Sequence, residues 1–456
     1  MNSVRLGRVL FSRGNISAGH AATFFLGYWV NLLIIVFLVS ALTHEGHGGE
    51  AAVVLIFTAL LSSFLQRNRD QRLALSRQEK IIVGAILLFL LWSILGAFFQ
   101  PEGLEFESSR RQWRALDGPS RWLFLLPLFF LFRKVEIDWR WLAWGLSIAI
   151  FIAVSIAIRQ VYFEGAGRAY GMTGNPIIFG ELLVIVDLLT WMLMVYAWNN
   201  QRRGVAILLL IASLAAFYGA MLTGTRGALL AYGLMVVVWL VHGYRNLGGL
   251  QEKLFSRVTI IRLLGFVVIF SVVSQTDQYR AIEAKSLRDL QRLQSWQVDG
   301  VGGGRGEMFK VAIEGVKRYP FGVGTDNYHA ILEDLVREGY SGWNPQEKEF
   351  LLKFNQAHNE WLNLFIENGI QGLLTIMFMF GYAGKVFFDR LKDKSELVGI
   401  YAACGMMLLA GYIVFGMTQA VFSHNSTSIF FILLFYLFLS QVTRAGTVVT
   451  RTTQDE

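Results

Sequence analysis

Long uninterrupted apolar runs are the feature that most restricts how this chain can fold. Residues 21–43, AATFFLGYWVNLLIIVFLVSALT, contain no charged side chain, and about 20 such residues cross the hydrocarbon core of a bilayer as a helix. Several further runs follow, and only 16% of the chain is charged, whereas soluble domains carry about 25%. The sequence therefore predicts an all-α polytopic membrane protein.

Hydropathy predicts about twelve transmembrane helices. We expect nine of them in residues 1–275, a helical cap in 276–360, and the last three with a cytoplasmic tail in 361–456. The second and fourth spans are short and depend partly on the alternation of loop charge. The predicted spans lie near residues 21–43, 51–65, 81–99, 120–133, 141–158, 176–198, 204–222, 227–242, 258–275, 361–384, 397–418 and 425–441.

The net charge of +8 is explained by where the basic residues lie. Lys and Arg concentrate in the N-terminus and in alternate short connections, and are scarce in the short connections between them. The positive-inside rule then predicts that both termini are cytoplasmic. The basic excess is an orientation signal, and we do not expect nucleic-acid binding. Basic residues on the predicted cytoplasmic side include Arg5, Arg8, Arg13, Arg67, Arg69, Arg133, Lys134, Arg202, Arg203, Lys385, Arg390, Lys392 and Lys394.

The stretch from about 276 to 360 is far longer than an ordinary connection between packed elements. Its acidic and basic residues balance, and YRAIEAKSLRDLQRLQSWQ has apolar residues close to helical spacing. Glycines and Pro320 divide the rest into two further helical segments. We expect amphipathic helices that cap the outer mouth of the bundle. The alternative is a spacer or a contact between copies of the chain.

His358 stands where this predicted cap returns to the membrane, in FNQAHNEWLNLFIENGIQG. Imidazole is the commonest side chain for accepting a proton near neutral pH. Asn359 can cap the following helix, and Glu360 suits its positive end. An isolated histidine here is more often structural, but Glu360 and Glu367 can orient or charge-balance the ring. We therefore favour a catalytic base.

Three arginines lie in glycine-containing turns on the predicted outer side. Arg226 is in LTGTRGALLA, Arg305 in GGGRGEMF and Arg168 in GAGRAYGMTGN. Guanidinium groups bind diphosphate oxygens through paired, charged hydrogen bonds. For any one of these arginines, contact with lipid phosphate or solvent is the competing interpretation.

Two carboxylates, Glu181 and Asp187, fall inside the sixth predicted span. A carboxylate at membrane depth is costly and usually faces a polar interior or a partner. A structural ion pair is the favoured role for Asp187. Glu181 is a candidate substrate contact.

The remaining histidines give weaker signals. His329 and His424 are alternative bases, whereas His44 and His47 provide only two ligands in a loop, too few for a metal site. The glycine-rich stretch GVGGGRG (300–306) lacks the Lys-Ser/Thr of a phosphate-binding loop. We expect neither metal nor cofactor.

Four segments together resemble the O-antigen ligase family of Gram-negative inner membranes. They are GRAYGMTGNPIIFGELL (167–183), LTGTRGALLAYG (222–233), RGEMFKVAIEGVKRYPFGVGTDNYH (305–329) and AHNEWLNLFIENGIQGLL (357–374). The similarity covers roughly residues 160–390 in the same order. Each motif alone is weak, and the combination is specific for the superfamily.

The resemblance implies a GT-C-like inverting glycosyltransferase of lipopolysaccharide biosynthesis. Its donor would be an undecaprenyl-diphosphate-linked glycan, its acceptor a sugar hydroxyl of lipid A–core, and both would be reached through membrane lipid without metal or nucleotide sugar. O-antigen polymerases and protein oligosaccharyltransferases of the same superfamily are alternatives. A transporter fits less well because no internal repeat is visible, and a scaffold would leave His358 replaceable.

The resemblance also implies roles for individual residues. His358 would be the base, while Arg226 and Arg305 would stabilise the leaving diphosphate. Arg305 is the looser match, since Arg288 or Arg292 is an alternative counterpart. The predicted substrate-binding residues are Arg168, Arg288, Arg292, Glu181, His329 and Glu360.

Overall fold

The computed structural model describes most of the chain. The described residues are 18–46, 48–65, 75–98, 101, 113, 116–233, 257–276, 279–280, 283–284, 287–288, 291, 305–340 and 345–452. These residues form helices and connections, with no strand among them. The predicted class, an all-α polytopic membrane protein, is confirmed.

The helices, numbered in chain order, are of very different lengths. They are α1 Ala18–Thr43, α2 Gly49–Leu65, α3 Arg77–Phe98, α4 Asp117–Phe124, α5 Leu126–Lys134, α6 Trp139–Ile158, α7 Pro176–Asn199, α8 Arg203–Thr223, α9 Arg257–Val273, α10 Arg305–Arg318, α11 Tyr328–Arg337, α12 Pro345–Leu351, α13 Glu360–Arg390, α14 Glu396–Gly416 and α15 Asn425–Thr452.

Within the described residues, eight helices are long and apolar enough to cross a membrane: α1, α3, α6, α7, α8, α13, α14 and α15. The predicted count of twelve is therefore not confirmed. The fourth predicted span is two short helices, because Pro127 cannot continue a helix from the preceding turn. The predicted span 227–242 is helical over 226–233 and otherwise lies outside the described residues.

Two helices occupy the centre of the bundle. Nearly all of α7 and of the first 20 residues of α15 is buried inside the protein, as expected for helices that are apolar on every side. The outer helices α1, α2 and α9 instead expose large apolar side chains, among them Phe25, Phe57 and Val267. Exposed apolar surface of this kind suits contact with lipid.

Asp187 is held in a buried ion pair in the middle of α7. Its carboxylate lies 2.8 Å from the guanidinium of Arg262 on α9 and accepts hydrogen bonds from Ser213 and from Tyr232 at 2.7 Å. Arg262 also donates to Ser213 Oγ at 2.6 Å. The predicted structural ion pair of Asp187 is confirmed.

Helices α10 and α11 of the predicted cap region pack with the start of α13 around one apolar cluster. Met308 and Val311 of α10, Tyr328 and Leu332 of α11, and Ile366 of α13 are all buried in it. The first predicted cap helix, at 279–297, lies largely outside the described residues. The cluster joins the cap region to the start of α13.

The YPFGVG and ENGIQG motifs form a single backbone junction. Val323 N donates to Ile366 O at 2.8 Å, and Gly324 N donates to Glu367 O at 2.9 Å. Gly369 interrupts α13 with φ 68° and ψ −177°, and a Cβ there would overlap the Phe321 carbonyl. Only glycine is unstrained in this conformation and at this approach. The junction fixes residues 319–324 against the first turns of α13.

Candidate active site

Most of the predicted site residues lie at one end of the bundle. Here α7, α10 and α13 begin, and α8 and α14 end. The connections between these ends contact one another, so residues far apart in the sequence are brought together.

The turn that carries Arg226 is hydrogen-bonded to the start of α7 and packs closely against it. Helix α8 ends at Gly224, which has a left-handed φ of 61°. Thr225 Oγ1 donates to Pro176 O at 2.8 Å. A Cβ at Gly180 would lie only 2.7 Å from Thr223 Oγ1. Arg226 therefore projects from a fixed turn, with its side chain exposed.

Arg168 lies against the same turn. Its Nε donates to Thr223 O at 2.6 Å, and a terminal nitrogen donates to Thr225 Oγ1 at 3.3 Å. The loop that holds it is closed by Gln160, whose Oε1 accepts from Gly171 N at 2.9 Å. Sequence reasoning did not identify Gln160, because a lone amide carries no pattern.

Arg305, the first residue of α10, belongs to the same group of cations. Burial lowers its pKa, nearby Arg226 lowers it further, and Glu181 opposes these effects. Burial likewise lowers the pKa of Arg168, followed by Arg226 and Arg305. Three guanidinium groups are thus held within electrostatic reach of one another, an arrangement that favours an anionic ligand.

Glu181 is the carboxylate close to this group. It is 1% exposed, and neither of its oxygens has a hydrogen-bond partner. A buried polar group without a partner is costly and requires a functional or structural explanation. Asp187 on the same helix has partners for both oxygens. The two carboxylates of α7 therefore lie in different environments.

His358 is held in a conformation unusual for its residue type. Its φ is 48°, in the left-handed region that non-glycine residues seldom occupy and that often marks a functional site. Its Nδ1 lies 2.6 Å from Gln419 Oε1, and its ring packs edge-on against Phe354. Burial lowers the pKa of His358; the Gln419 hydrogen bond opposes this, and Arg305 lowers it further.

The connection after α14 links His358 to the arginine turn. Gln419 Nε2 lies 2.8 Å from His424 Nε2. The adjacent Thr418 contacts the Arg226 turn, because a Cβ at Gly227 would lie 2.6 Å from Thr418 Oγ1. Burial, followed by His358, lowers the pKa of His424 to about 4. The candidate base and the candidate diphosphate ligands are therefore neighbours at one end of the bundle.

The geometry can be set beside two similarities to known proteins. Residues 211–377 match the model for O-antigen ligase. This segment is similar to the O-antigen ligase family. An uncharacterized protein of Haemophilus influenzae is 21% identical over 408 residues, which cover 89% of this chain and 96% of that protein. The resemblance drawn from the motifs is confirmed.

The ligase-family segment contains the three predicted catalytic residues and leaves other residues of the candidate site outside. Arg226, Arg305 and His358 lie within 211–377. Arg168 and Glu181 precede it, and Gln419 follows it. The described geometry shows that flanking helices contribute to the same site.

Glu360 links the entrance of α13 to the connection after α14. It is 2% exposed, and its Oε2 accepts from Phe422 N at 2.9 Å. Asn359 caps α13 by accepting from Leu362 N at 3.0 Å, as predicted. A polar cavity of about 300 Å³ adjoins Glu360. His358, Arg226 and Arg305 do not line this cavity, whose walls include Arg121, Trp122, Asp326, Asn363, Glu367 and Asn368.

Other predicted site residues are not brought to this place. Both ring nitrogens of His329 are occupied in the cap, by Phe354 O and Glu333 at 3.1 Å each. Arg288 is exposed, and Arg292 lies outside the described residues. Among the described residues no group of three or more His, Cys, Asp or Glu has the arrangement of a metal site.

Proposed function

We propose that this protein is an O-antigen ligase. It transfers O-antigen glycan from undecaprenyl diphosphate to a sugar hydroxyl of lipid A–core oligosaccharide, with inversion and without metal. The observation that carries the proposal is the placement of His358 beside a cluster of arginines inside a ligase-family segment. A membrane glycosyltransferase with a lipid diphosphate donor needs both a base and positively charged groups that bind the diphosphate.

His358 acts on the acceptor. A sugar hydroxyl is a poor nucleophile until a base removes its proton, and the neutral imidazole supplies an acceptor nitrogen for it. The hydroxyl oxygen forms a bond to the anomeric carbon as the bond from that carbon to the diphosphate oxygen breaks. The proton goes to His358, and the electron pair leaves with undecaprenyl diphosphate. Attack opposite the leaving group inverts the anomeric centre.

The arginines act on the donor. Arg226 and Arg305 bind the diphosphate and stabilise the negative charge that develops as it leaves, while Arg168 supports the turn and adds to the positive field. Glu181 is buried within electrostatic reach of Arg305 and positions that guanidinium before the donor arrives. Repulsion among the three cations is relieved when the anion binds.

The helix directions support a periplasmic site. Helices α7, α8, α13 and α14 each have one end at the site and the other at a connection rich in Lys and Arg, 199–203 or 390–396. The positive-inside rule assigns those connections to the cytoplasm. In this orientation the protein lies in the inner membrane, both termini are cytoplasmic, and the cap covers the site from the periplasm.

A ligase, a polymerase and a protein oligosaccharyltransferase differ in their acceptor, since all three would use the same base and the same diphosphate-binding arginines. The test is a reconstituted reaction with purified lipid-linked glycan and one acceptor at a time: lipid A–core, a second lipid-linked glycan, or an acceptor peptide. We expect product with lipid A–core alone. Product only with the second glycan would indicate a polymerase, and product only with the peptide would indicate a protein oligosaccharyltransferase. Movement of intact lipid-linked glycan without transfer would indicate a transporter.

A further inference from the structure

Gln419 lies outside the ligase-family segment and belongs to none of the motifs, yet its side chain contacts the candidate base. It is 1% exposed and lies in the connection between α14 and α15. Its two polar atoms face two different imidazoles, His358 at 2.6 Å and His424 at 2.8 Å. A buried amide placed between two histidines can control where their protons lie.

The direction of the two hydrogen bonds determines the tautomer of each ring. An amide oxygen only accepts and an amide nitrogen only donates. His358 Nδ1 must therefore carry the hydrogen that is donated to Gln419 Oε1, which leaves the lone pair of His358 on Nε2. Gln419 Nε2 donates to His424 Nε2, so that nitrogen carries the lone pair of the second ring. If His424 donated instead, the amide would have to turn over and the base nitrogen of His358 would be protonated.

We infer that Gln419, oriented by His424, is a positioning residue that holds His358 in the Nδ1–H form with Nε2 available to the acceptor hydroxyl. The inference rests on the proposed role of His358 as base. It assigns to an uncharged side chain the orienting task that a carboxylate performs in a Ser-His-Asp triad.

The choice of an amide has an electrostatic consequence. The charged or titratable groups around the His358 ring are Arg305 from α10 and His424 from the connection after α14. Glu360 follows two residues after His358, at the start of α13. A carboxylate at position 419 would stabilise the imidazolium and keep the base protonated. A neutral amide orients the ring and favours the protonated form less than a carboxylate would, so His358 remains a free base at lower pH than it would beside a carboxylate.

Two substitutions at position 419 should move the pH dependence in opposite directions. The acid limb is the part of the pH profile in which kcat/KM falls as the pH is lowered. In Gln419→Glu the new carboxylate should raise the midpoint of this acid limb by about one pH unit or more. In Gln419→Ala the limb should move to lower pH, because the hydrogen bond that favours the protonated ring is lost, and kcat should fall about tenfold or more as orientation is lost. Structural damage alone would lower the rate without moving the limb.

Gln441→Ala is the matched control. Gln441 is also a buried glutamine, but its amide donates to Phe132 O at 2.6 Å and is remote from the histidines. We expect this variant to keep the wild-type acid limb whatever its effect on stability. A shift of the limb equal to that of Gln419→Ala would show that loss of any buried glutamine perturbs the site, and would overturn the inference.

A measurement without turnover separates this inference from the proposed function. Nitrogen NMR of the full-length protein with isotope-labelled histidine, assigned by comparison with His358→Asn, reports which ring nitrogen of His358 carries the hydrogen. We expect Nδ1–H in the wild type; Nε2–H would overturn the inference even if the Gln419 variants failed to fold. If His358→Asn retains transfer, the proposed function fails. If His358→Asn is inactive and the Gln419 variants keep the wild-type acid limb of kcat/KM, only the positioning role of Gln419 fails.

Discussion

Gly227 and Thr418 are in direct contact, although one follows α8 and the other follows α14. A Cβ at Gly227 would lie 2.6 Å from Thr418 Oγ1. The contact sets the Arg226 turn against the connection that holds Gln419, and through Gln419 against His358. A Cβ at position 227 would force Thr418 or the Arg226 turn to shift, which would change the position of the donor ligands relative to the acceptor base.

Gly227→Ala should therefore impair transfer without unfolding the protein. The added methyl group must displace the Arg226 turn or Thr418, and a misplacement of about 1 Å at a reacting centre can cost on the order of 100-fold in rate. Gly233→Ala is the control, because a Cβ at Gly233 meets nothing within 4 Å. Equal kcat/KM values for the two variants would contradict the proposed coupling of the turn to the base.

The two carboxylates of α7 should respond differently to neutralisation. Asp187→Asn leaves Arg262 buried without its ion-pair partner, which costs about 3–5 kcal/mol, and should lower the thermal unfolding temperature in detergent. Glu181→Gln breaks no hydrogen bond and should leave that temperature nearly unchanged while reducing kcat/KM about tenfold or more, because Arg305 loses its interaction with the carboxyl group. Loss of stability in Glu181→Gln with normal transfer would make Glu181 a structural residue.

The junction at Gly369 should be required for docking of the cap. Gly369→Ala introduces a Cβ that overlaps the Phe321 carbonyl and strains a left-handed backbone. We expect the 305–340 segment to become sensitive to protease and transfer to be lost. Gly381→Ala lies on the same helix with open space around its Cβ and should behave as wild type. Protection of the cap in Gly369→Ala would show that the junction is dispensable.

Transfer should remain active at mildly acidic pH. Burial and Arg305 lower the pKa of His358, and the base works only when neutral. Activity is therefore present above that lowered pKa and is lost as the pH falls through it. The acid limb of kcat/KM should have its midpoint below about 6.5, the ordinary value for histidine. A midpoint above 6.5 would mean that another group, or a charged partner of His358, controls the reaction.

Sequence reasoning succeeded where a local pattern carries the information. Apolar runs predicted the long helices, and the position of Asn359 predicted the cap of α13. The buried ion pair of Asp187 followed from the cost of a carboxylate at membrane depth. The division of the fourth predicted span into two helices was not predicted, although Pro127 is a visible signal for it.

The contacts that assemble the site carried no such signal. Gln419 and His358 are separated by 61 residues, and an amide does not stand out by charge or spacing. Arg262, which pairs with Asp187, lies 75 residues away in an apolar run, so its partner could not be assigned. The contact of Gly227 with Thr418 depends on how α8 and α14 pack, which hydropathy does not specify.

The central claim, that His358 is the base of a glycosyl transfer, is tested most directly by His358→Asn with purified lipid-linked glycan and lipid A–core. Asparagine adopts the left-handed backbone more readily than other residues, so the entrance of α13 should remain intact. His329→Asn is the control, since that ring is engaged within the cap. We predict ligated glycan of inverted anomeric configuration from the wild type and from His329→Asn, and none from His358→Asn. Ligation by His358→Asn at the wild-type rate would contradict the account.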